Sequence, residues 1–595
     1  MNTPNTEAGD MLPHIILEGR QEVRKFNQPD AVEVEILMAL FRIRSHDADV
    51  VVSASIPNNA ARSIGIKEDF YVLVSSFLIK NTIINLLDGL SPIPEATKWL
   101  TAFRTNIHGR ATGLITSMFH ELGFWKDILA LTWNFRTIRG SSAINRLLDA
   151  RLALTGLTAL SLTEDSFQAP TLLKPMSGVV FLRLCFEFET NCGRGTAVAF
   201  LVPTPKFQWK AWSIPTCLES LKDYPEKVEP LRSSTMDHEW EGRRLREMNM
   251  ADSDPTVLII GAGHVGLQIA ARLKYMSVST LVIERHTRIG DNWRTRYNTL
   301  CLYGVVYSPR LGPCIVLAPS GFGIECLVIY QNRERMTVRH LIFATGFGGG
   351  YPKMPNIEGK DTYYGTVLHS SQYIFPASFT GKKVVVVGAG NSAHDIAMDL
   401  YCSDADVMIL CGLNTRVYLA DYNGHFPLSF ADILGSAMPW PSLVALLRNS
   451  TLHIASIIDK TNLGMNGAGT LSLIYARGDG FYIDTGACRE IINGNIKIKS
   501  GSSTRRFVSH GLELEDGTEQ GCGVVIFATG CGELRDSIRE ICGPDIASKV
   551  GPIWGLDDEG EQQGMWRRTG QPHLWIGMEI KAFEEGLTTG DDIYV

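Results

Sequence analysis

Thr256–Gly266 reads TVLIIGAGHVG, and the fold turns on this stretch. A short apolar run ends in glycines at G-x-G-x-x-G spacing. A helix-patterned segment follows, with Ile269, Leu273 and Met276 on one face. Thr280–Ile283 is a second strand-like run, and it ends in Glu284. Each residue type has a physical reason. Gly261 permits the tight turn, Gly263 lets backbone approach a pyrophosphate, and Gly266 lets helix and strand pack closely. The helix N-terminus turns unpaired N–H groups toward phosphate charge. Glu284 lies 18 positions after Gly266, where a carboxylate at a strand end accepts hydrogen bonds from a ribose diol.

The pattern recurs at Lys383–Ala393, KVVVVGAGNSA. Gly388, Gly390 and Ala393 take the three glycine positions, with Ser392 between them, and Ala in third place is an accepted variant. The following helix carries Ile396, Ala397 and Leu400, and the next strand is Val407–Leu410. That strand runs into Cys411, Gly412, Leu413 and Asn414 with no carboxylate, and Arg416 follows. A carboxylate there would repel a 2′-phosphate and an arginine would pair with one, so the second site reads as NADPH-binding. The competing reading of Arg416 is a solvated loop cation. Two strand endings, Leu341–Gly346 and Val524–Gly530, both close on Ala-Thr-Gly, placing Gly346 and Gly530 where the chain crosses close beneath a cofactor. The order is site, ATG, site, ATG, as expected if the second unit is inserted into the first.

Composition fits this reading. The chain has 595 residues, 45% hydrophobic and 20% charged, so it can bury several cores and is not a disordered or fibrous chain. A formal charge of −7 without a basic block argues against a nucleic-acid surface or a polybasic membrane anchor. The 12 cysteines include no C-x-x-C pair, which disfavours a disulfide framework, a zinc ribbon and a redox dithiol. No metal site is expected. Cys301, Cys314 and Cys326 are too far apart in sequence for the dithiol of a disulfide reductase. The polar N-terminus shows no secretory signal, and the most apolar run, Phe70–Ile79, is too short to span a bilayer. A soluble, cytoplasmic protein is expected.

Ahead of the first glycine site, Asp30–Arg42 shows mixed helical periodicity and Val50–Ser53 is strand-like. Glu95–Ile107 places Trp99, Leu100, Phe103 and Ile107 on one helical stripe. A second helix runs through Ile144, Leu147, Leu148 and Leu152. Gly178–Thr190 alternates, with Leu182, Leu184, Phe186 and Phe188 on one face, and Thr196–Val202 and Phe207–Trp212 return as strands. Helices followed by an antiparallel meander make an α+β domain. Asp237–Glu247 reads as an exposed connecting helix.

Taken together, these residues resemble the flavin-containing monooxygenases. Besides both glycine fingerprints, Tyr363, Gly365, His369 and Tyr373 match that family's F-x-G-x-x-x-H-x-x-x-[YFW] signature, with Tyr in the leading place. Gly290, Asp291 and Trp293 resemble its flavin-side G-[DG]-x-W segment. The α+β block resembles an NTF2-like (SnoaL-like) domain of the long fungal-type members. The resemblance implies an α/β architecture of two Rossmann-like dinucleotide-binding domains, the NADPH domain inserted in the FAD domain, preceded by the NTF2-like domain. The corresponding divisions are an N-terminal extension at 1–91, the NTF2-like domain at 92–230 and a helical linker at 231–254. The FAD domain takes 255–375 and 516–595, and the NADPH domain 376–515.

The resemblance further implies FAD and NADPH as cofactors and O₂ as co-substrate. One oxygen atom would pass to a small organic molecule through a C4a-hydroperoxyflavin. The terminal Tyr373 resembles the N- and S-oxygenating branch, of the N,N-dimethylaniline type, more than the Baeyer–Villiger branch. No catalytic side chain is assigned: His369 reads as a link between the nucleotide domains, and Tyr363 and Tyr373 as packing residues. The accessory domain would be a lid, a second pocket or the surface of a homodimer. The chain departs from the family in being short after Leu302, over Tyr303–Phe322, and after Ile576. A degenerate flavoprotein that binds dinucleotide without turnover is therefore the alternative.

Overall fold

The computed structural model describes residues 15–23, 32–43, 48–57, 90–225, 254–300, 337–411, 416–418, 481–483 and 485–578, with residues 242, 245 and 246 and apart from breaks at 177–178, 205–207 and 347–349. Phe70–Ile79, Tyr303–Phe322 and most of Asp237–Glu247 lie outside the described residues.

The N-terminal segments form a three-stranded antiparallel sheet in the order Ile15–Val23, Val32–Ile43, Ala48–Pro57. The helical periodicity expected over Asp30–Arg42 is therefore corrected to a strand. Its opening Val-Glu-Val-Glu alternation has the period of two that a strand requires, and it outweighs the mixed pattern further on.

The α+β domain begins with the helix Pro92–His108, which has proline in its first turn, where the missing N–H costs nothing. Its buried stripe is Ala96, Trp99, Leu100, Phe103 and Ile107, as the spacing requires. That stripe packs on a mixed sheet in the order Phe135–Arg139, Phe119–Ile128, Trp209–Leu221, Gly193–Pro203, Val179–Glu189, Thr158–Leu162. All of these neighbours are antiparallel except Trp209–Leu221 with Phe119–Ile128. Leu182, Leu184, Phe186 and Phe188 face the core as read from sequence. Arg183, which the alternation places on the opposite face, is buried as well, and its guanidinium donates to the carbonyls of Phe167 and Ala169.

Asp127, fully buried, shapes the loop between the first two strands of this domain. It accepts from the backbone N–H groups of Leu131 and Thr132 and from the hydroxyls of Thr132 and Thr216. Burial pushes its carboxyl above the ordinary value, and those donors oppose the shift.

Two parallel sheets follow. The first runs Thr280–Ile283, Val257–Ile260, His340–Phe343, Leu574–Ile576. The second runs Thr366–His369, Val524–Phe527, Lys383–Val387, Asp406–Cys411, Lys497–Ser500. The chain leaves the first sheet after Phe343, builds the second, and returns at Leu574, so one unit is nested inside the other. The strands Thr366–His369 and Val524–Phe527 pair in the second sheet, although divisions at 375 and 516 would put them with the first. Every backbone group of a parallel ladder must find its partner along the strand, and these two strands find theirs beside Lys383–Val387 and each other.

Replacing Asp127 with Ala strands two buried N–H donors, so the unfolding midpoint of the full chain in urea should fall, by about 2–4 kcal/mol in stability. An unchanged midpoint would show that the loop does not depend on this carboxylate.

Candidate functional site

The two glycine turns are built alike. Gly261 has φ +106° and Gly388 φ +134°, conformations that L side chains rarely adopt. A Cβ on Gly261 would stand 2.5 Å from the Ala344 carbonyl oxygen, and one on Gly388 would run into the Ala528 carbonyl oxygen. Each Ala-Thr-Gly turn therefore passes directly under its own glycine turn, Ala344 under the first and Ala528 under the second. A Cβ on Gly266 would strike the Gly261 carbonyl, which is the close helix–strand packing read from sequence. Gly346 and Gly530 both have positive φ, +77° and +76°, with open space where a Cβ would point.

At Gly263 the geometry differs. Its φ is −77°, and a Cβ would meet only the Asn292 side chain, at 3.3 Å. Gly390 at the matching place has φ −88°. Neither glycine is demanded by backbone strain. Both helices start at these positions, at His264 and Asn391, so their first-turn N–H groups open toward the same space.

Strand register makes Glu284 and Cys411 counterparts, since Ile260 pairs with Ile283 and Val387 with Leu410, each one residue earlier. Glu284 accepts from Ala262 N–H at 2.7 Å and His286 N–H at 3.0 Å, which holds the carboxylate beside the first glycine turn. A carboxylate has lone pairs left for a diol. Cys411 is buried, and burial pushes its thiol up to about 11, so the second strand end presents no negative charge. Arg416 opens the strand Arg416–Tyr418, but its side chain and residues Gly412 to Asn414 lie outside the described residues.

Gly290 takes φ +83° and caps the short helix Asp291–Arg294. Asp291 is bracketed by Arg294 at 2.9 Å and Arg288 at 3.3 Å. Desolvation would raise its carboxyl, but the Arg294 hydrogen bond and the Arg288 charge hold it below the ordinary value. Trp293 is half-buried. Ser392 lies near enough to the Tyr297 hydroxyl to hydrogen-bond it, while Ala393, in the first turn of the second helix, is fully buried.

The signature residues bond within the unit of the second sheet. His369 Nε2 stands 3.0 Å from the Gly530 carbonyl, and its Nδ1 accepts from Ser371 N–H. These bonds hold the imidazole neutral and within the second unit, not between the two as read from sequence, and burial lowers its pKa. Tyr363 donates to the Cys522 carbonyl at 3.0 Å, and a Cβ on Gly365 would stand 2.5 Å from the Gly523 carbonyl. Tyr373 donates to buried Asp399 at 2.7 Å. Burial first, and then this bond, raise its pKa and keep the phenol protonated.

Three functional residues escaped the sequence reading. Tyr297, just beyond the Asp291–Arg294 helix, donates to Asp395 at 2.8 Å and lies 6.4 Å from the Tyr373 ring. Asp395 and Asp399 sit four residues apart on the inner face of the second helix. Two acids at that spacing among apolar residues were the available signal, since buried carboxylates require donors. A second contact escaped it too: Arg136 of the α+β domain grips Glu559 with Nε at 2.7 Å and NH2 at 2.6 Å. The Thr137 hydroxyl donates to Glu561 beside this pair.

Fold and glycine turns together define a dinucleotide-binding fold of Rossmann type. Family profiles agree: an NAD(P)-binding Rossmann-like domain matches residues 259–310, and a pyridine nucleotide-disulphide oxidoreductase profile matches 325–417. The chain is similar to known monooxygenases. It is 26% identical over 318 residues to indole-3-pyruvate monooxygenase YUCCA1 of Oryza sativa subsp. japonica, covering 46% of this chain and 76% of the relative. It is 27% identical over 322 residues to the probable indole-3-pyruvate monooxygenase YUCCA3 of Arabidopsis thaliana, covering 46% and 72%. Among solved structures, a flavin-containing monooxygenase from Stenotrophomonas maltophilia aligns with 17% identity, 56% of this chain, 92% of its own and a TM-score of 0.36. An oxidized steroid monooxygenase bound to NADP aligns with 14%, 54%, 79% and 0.37. Among the described residues no helix is long and apolar enough to cross a membrane, and no group of ligands could hold a metal ion.

Two measurements test the seam. Tyr373→Phe leaves Asp399 buried with one donor fewer and should lower stability by about 1.5–3 kcal/mol in urea denaturation. An equal midpoint would contradict the bond. For His369, a folded-state pKa below the ordinary 6.5 means that the unfolded chain binds more protons in that window, so stability rises with pH there and is lost as pH falls. Between about pH 7.5 and about pH 5.5, His369→Gln should therefore lose less stability than the parent; equal losses would exclude His369 as the titrating group.

Proposed function

We propose that the chain is an FAD- and NADPH-dependent monooxygenase that transfers one oxygen atom from O₂ to a small organic substrate, most in keeping with N- or S-oxygenation. The observation that carries this reading is the repeated crossing of an Ala-Thr-Gly turn under a glycine turn, once at Gly261 and Ala344 and again at Gly388 and Ala528. Two cradles in one chain supply places for an electron donor and an electron acceptor.

In this reading the first cradle, with Glu284 for the ribose and Gly290, Asp291 and Trp293 along the flavin, takes FAD. The second takes NADPH, since Cys411 puts no charge where a 2′-phosphate would sit and Arg416 lies near enough in sequence to pair with one. When bound, FAD and NADPH would supply the redox chemistry, hydride transfer to the flavin and activation of O₂. The protein binds and orients them and excludes water. Gly263 and Gly390 admit the pyrophosphates, the Tyr373–Asp399 bond fixes the second helix against the signature segment, and the Tyr297–Asp395 bond fixes it against the segment after Arg294. A disulfide reductase is disfavoured because no C-x-x-C pair exists in the sequence, while Cys301, Cys314 and Cys326 lie outside the described residues. The α+β domain, on its helix-over-sheet order, is NTF2-like and serves as an accessory module.

Because Gly263 is unstrained and a Cβ there would meet only the Asn292 side chain, Gly263→Ala should fold; Gly390 likewise has an ordinary φ, and the urea midpoint of Gly390→Ala checks that it folds. Gly263→Ala should weaken FAD retention by about tenfold or more, and Gly390→Ala should raise the NADPH needed for half-maximal oxidation similarly while leaving flavin bound. Purified parent protein should consume NADPH and O₂ with an amine or sulfide panel. Colourless protein after FAD addition, or bound cofactor without turnover, would contradict the monooxygenase reading.

A further inference from the structure

A cleft of about 710 Å³ opens where the α+β domain meets the segment before the last strand of the first sheet. Its walls come from the loop after Ile128, from Arg136 and Arg151, and from residues between Val550 and Thr569. No lining residue belongs to either glycine turn.

The charge in this recess is uneven. Arg136 is neutralised by Glu559, and Arg567 by Asp557 at 2.7 Å. Arg151 and Arg568 line the same cleft, and among the described residues neither is paired with an acid. Arg151 is aimed by its Nε, which donates to the Leu131 carbonyl at 2.8 Å, leaving its two terminal nitrogens for another acceptor. Arg567 is likewise fixed, through Asn134 and Asp557, with one terminal nitrogen unspent. The cleft thus has an excess of guanidinium donors, with Arg151 and Arg567 held by hydrogen bonds and Arg568 exposed at its edge, a set that suits a carboxylate or phosphate.

Beside these donors stands Trp133, with 61% of its surface exposed. Its loop is not loose, because Asp127 accepts from the two following N–H groups, Leu131 and Thr132, that lead into it. A large aromatic surface held open next to arginines offers a stacking face for a flat ring.

We propose that this inter-domain cleft binds a flat aromatic anion, its carboxylate or phosphate held by Arg151 and Arg568 and its ring stacked on Trp133. The site stands apart from the cofactor cradles and does not depend on the oxygenation reading.

Equilibrium dialysis of the full-length, cofactor-loaded protein tests it, using benzoate, phenyl phosphate, neutral benzamide and inorganic phosphate as probes. Benzoate or phenyl phosphate should bind about tenfold or more tightly than benzamide, and whichever of the two binds better identifies the acidic group. Inorganic phosphate should bind more weakly than phenyl phosphate if Trp133 contributes. Arg568→Gln is the safe variant, since this side chain is exposed and its loss threatens no core; with Trp133→Ala it should weaken the preferred anion about tenfold, with the flavin spectrum unchanged. Benzamide binding as tightly as benzoate, an affinity untouched by both variants, or no binding of either aromatic anion would overturn the proposal.

Discussion

The close approach of two backbone segments governs the dinucleotide-binding part of the molecule. At Gly261 and again at Gly388, the chain turns so tightly over a neighbouring Ala-Thr-Gly carbonyl that any side chain would collide with it. Positive φ at both turns closes the alternative of shifting the backbone, because other residues rarely reach that region. The consequence is a shallow floor of main chain under each helix N-terminus. A pyrophosphate needs such a floor, since its oxygens must reach backbone N–H groups without side chains in the way. Gly261 is demanded by the fold, whereas Gly263, in the same motif, is not.

The second constraint is the seam of buried tyrosine–aspartate bonds. Asp395 and Asp399 would be costly inside a helix packed against a sheet if they lacked donors. Tyr297 and Tyr373 meet that need from segments outside the helix, and burial keeps both phenols protonated so that they remain donors. The family-like signature therefore works here as structure. His369 and Tyr363 bond to main-chain carbonyls of Gly530 and Cys522, so the signature threads along the second sheet and ties its edge strand to the turn beneath the second cradle.

Much of this was legible in the sequence, for reasons that particular residues make plain. Glycines at fixed spacing after apolar runs announce a local turn, and the turn is local physics. The same holds for the Trp99–Phe103–Ile107 stripe, where a period decides both helix and buried face. What escaped was long-range. That Val524–Phe527 pairs with Lys383–Val387, and not in the first sheet, depends on a ladder between segments far apart in sequence. Asp395 and Asp399 showed their spacing but not their partners, and Arg136 with Glu559 showed nothing, since charged residues on two distant loops look like ordinary surface. Over Asp30–Arg42 a mixed periodicity concealed a strand.

The α+β domain joins the rest through charged and polar contacts at Glu559 and Glu561, reinforced by Arg567 on Asn134. Such a bidentate pair adds geometric specificity more than net stability when half-exposed, so it sets how the domain sits without locking it. The cradles themselves face the most direct trial. Bound flavin should lose its visible absorbance when NADPH is mixed with the protein in the absence of oxygen, at a rate independent of protein concentration, because donor and acceptor sit in one chain. Flavin that stays oxidised under those conditions, or is bleached only in proportion to protein concentration, would contradict the account.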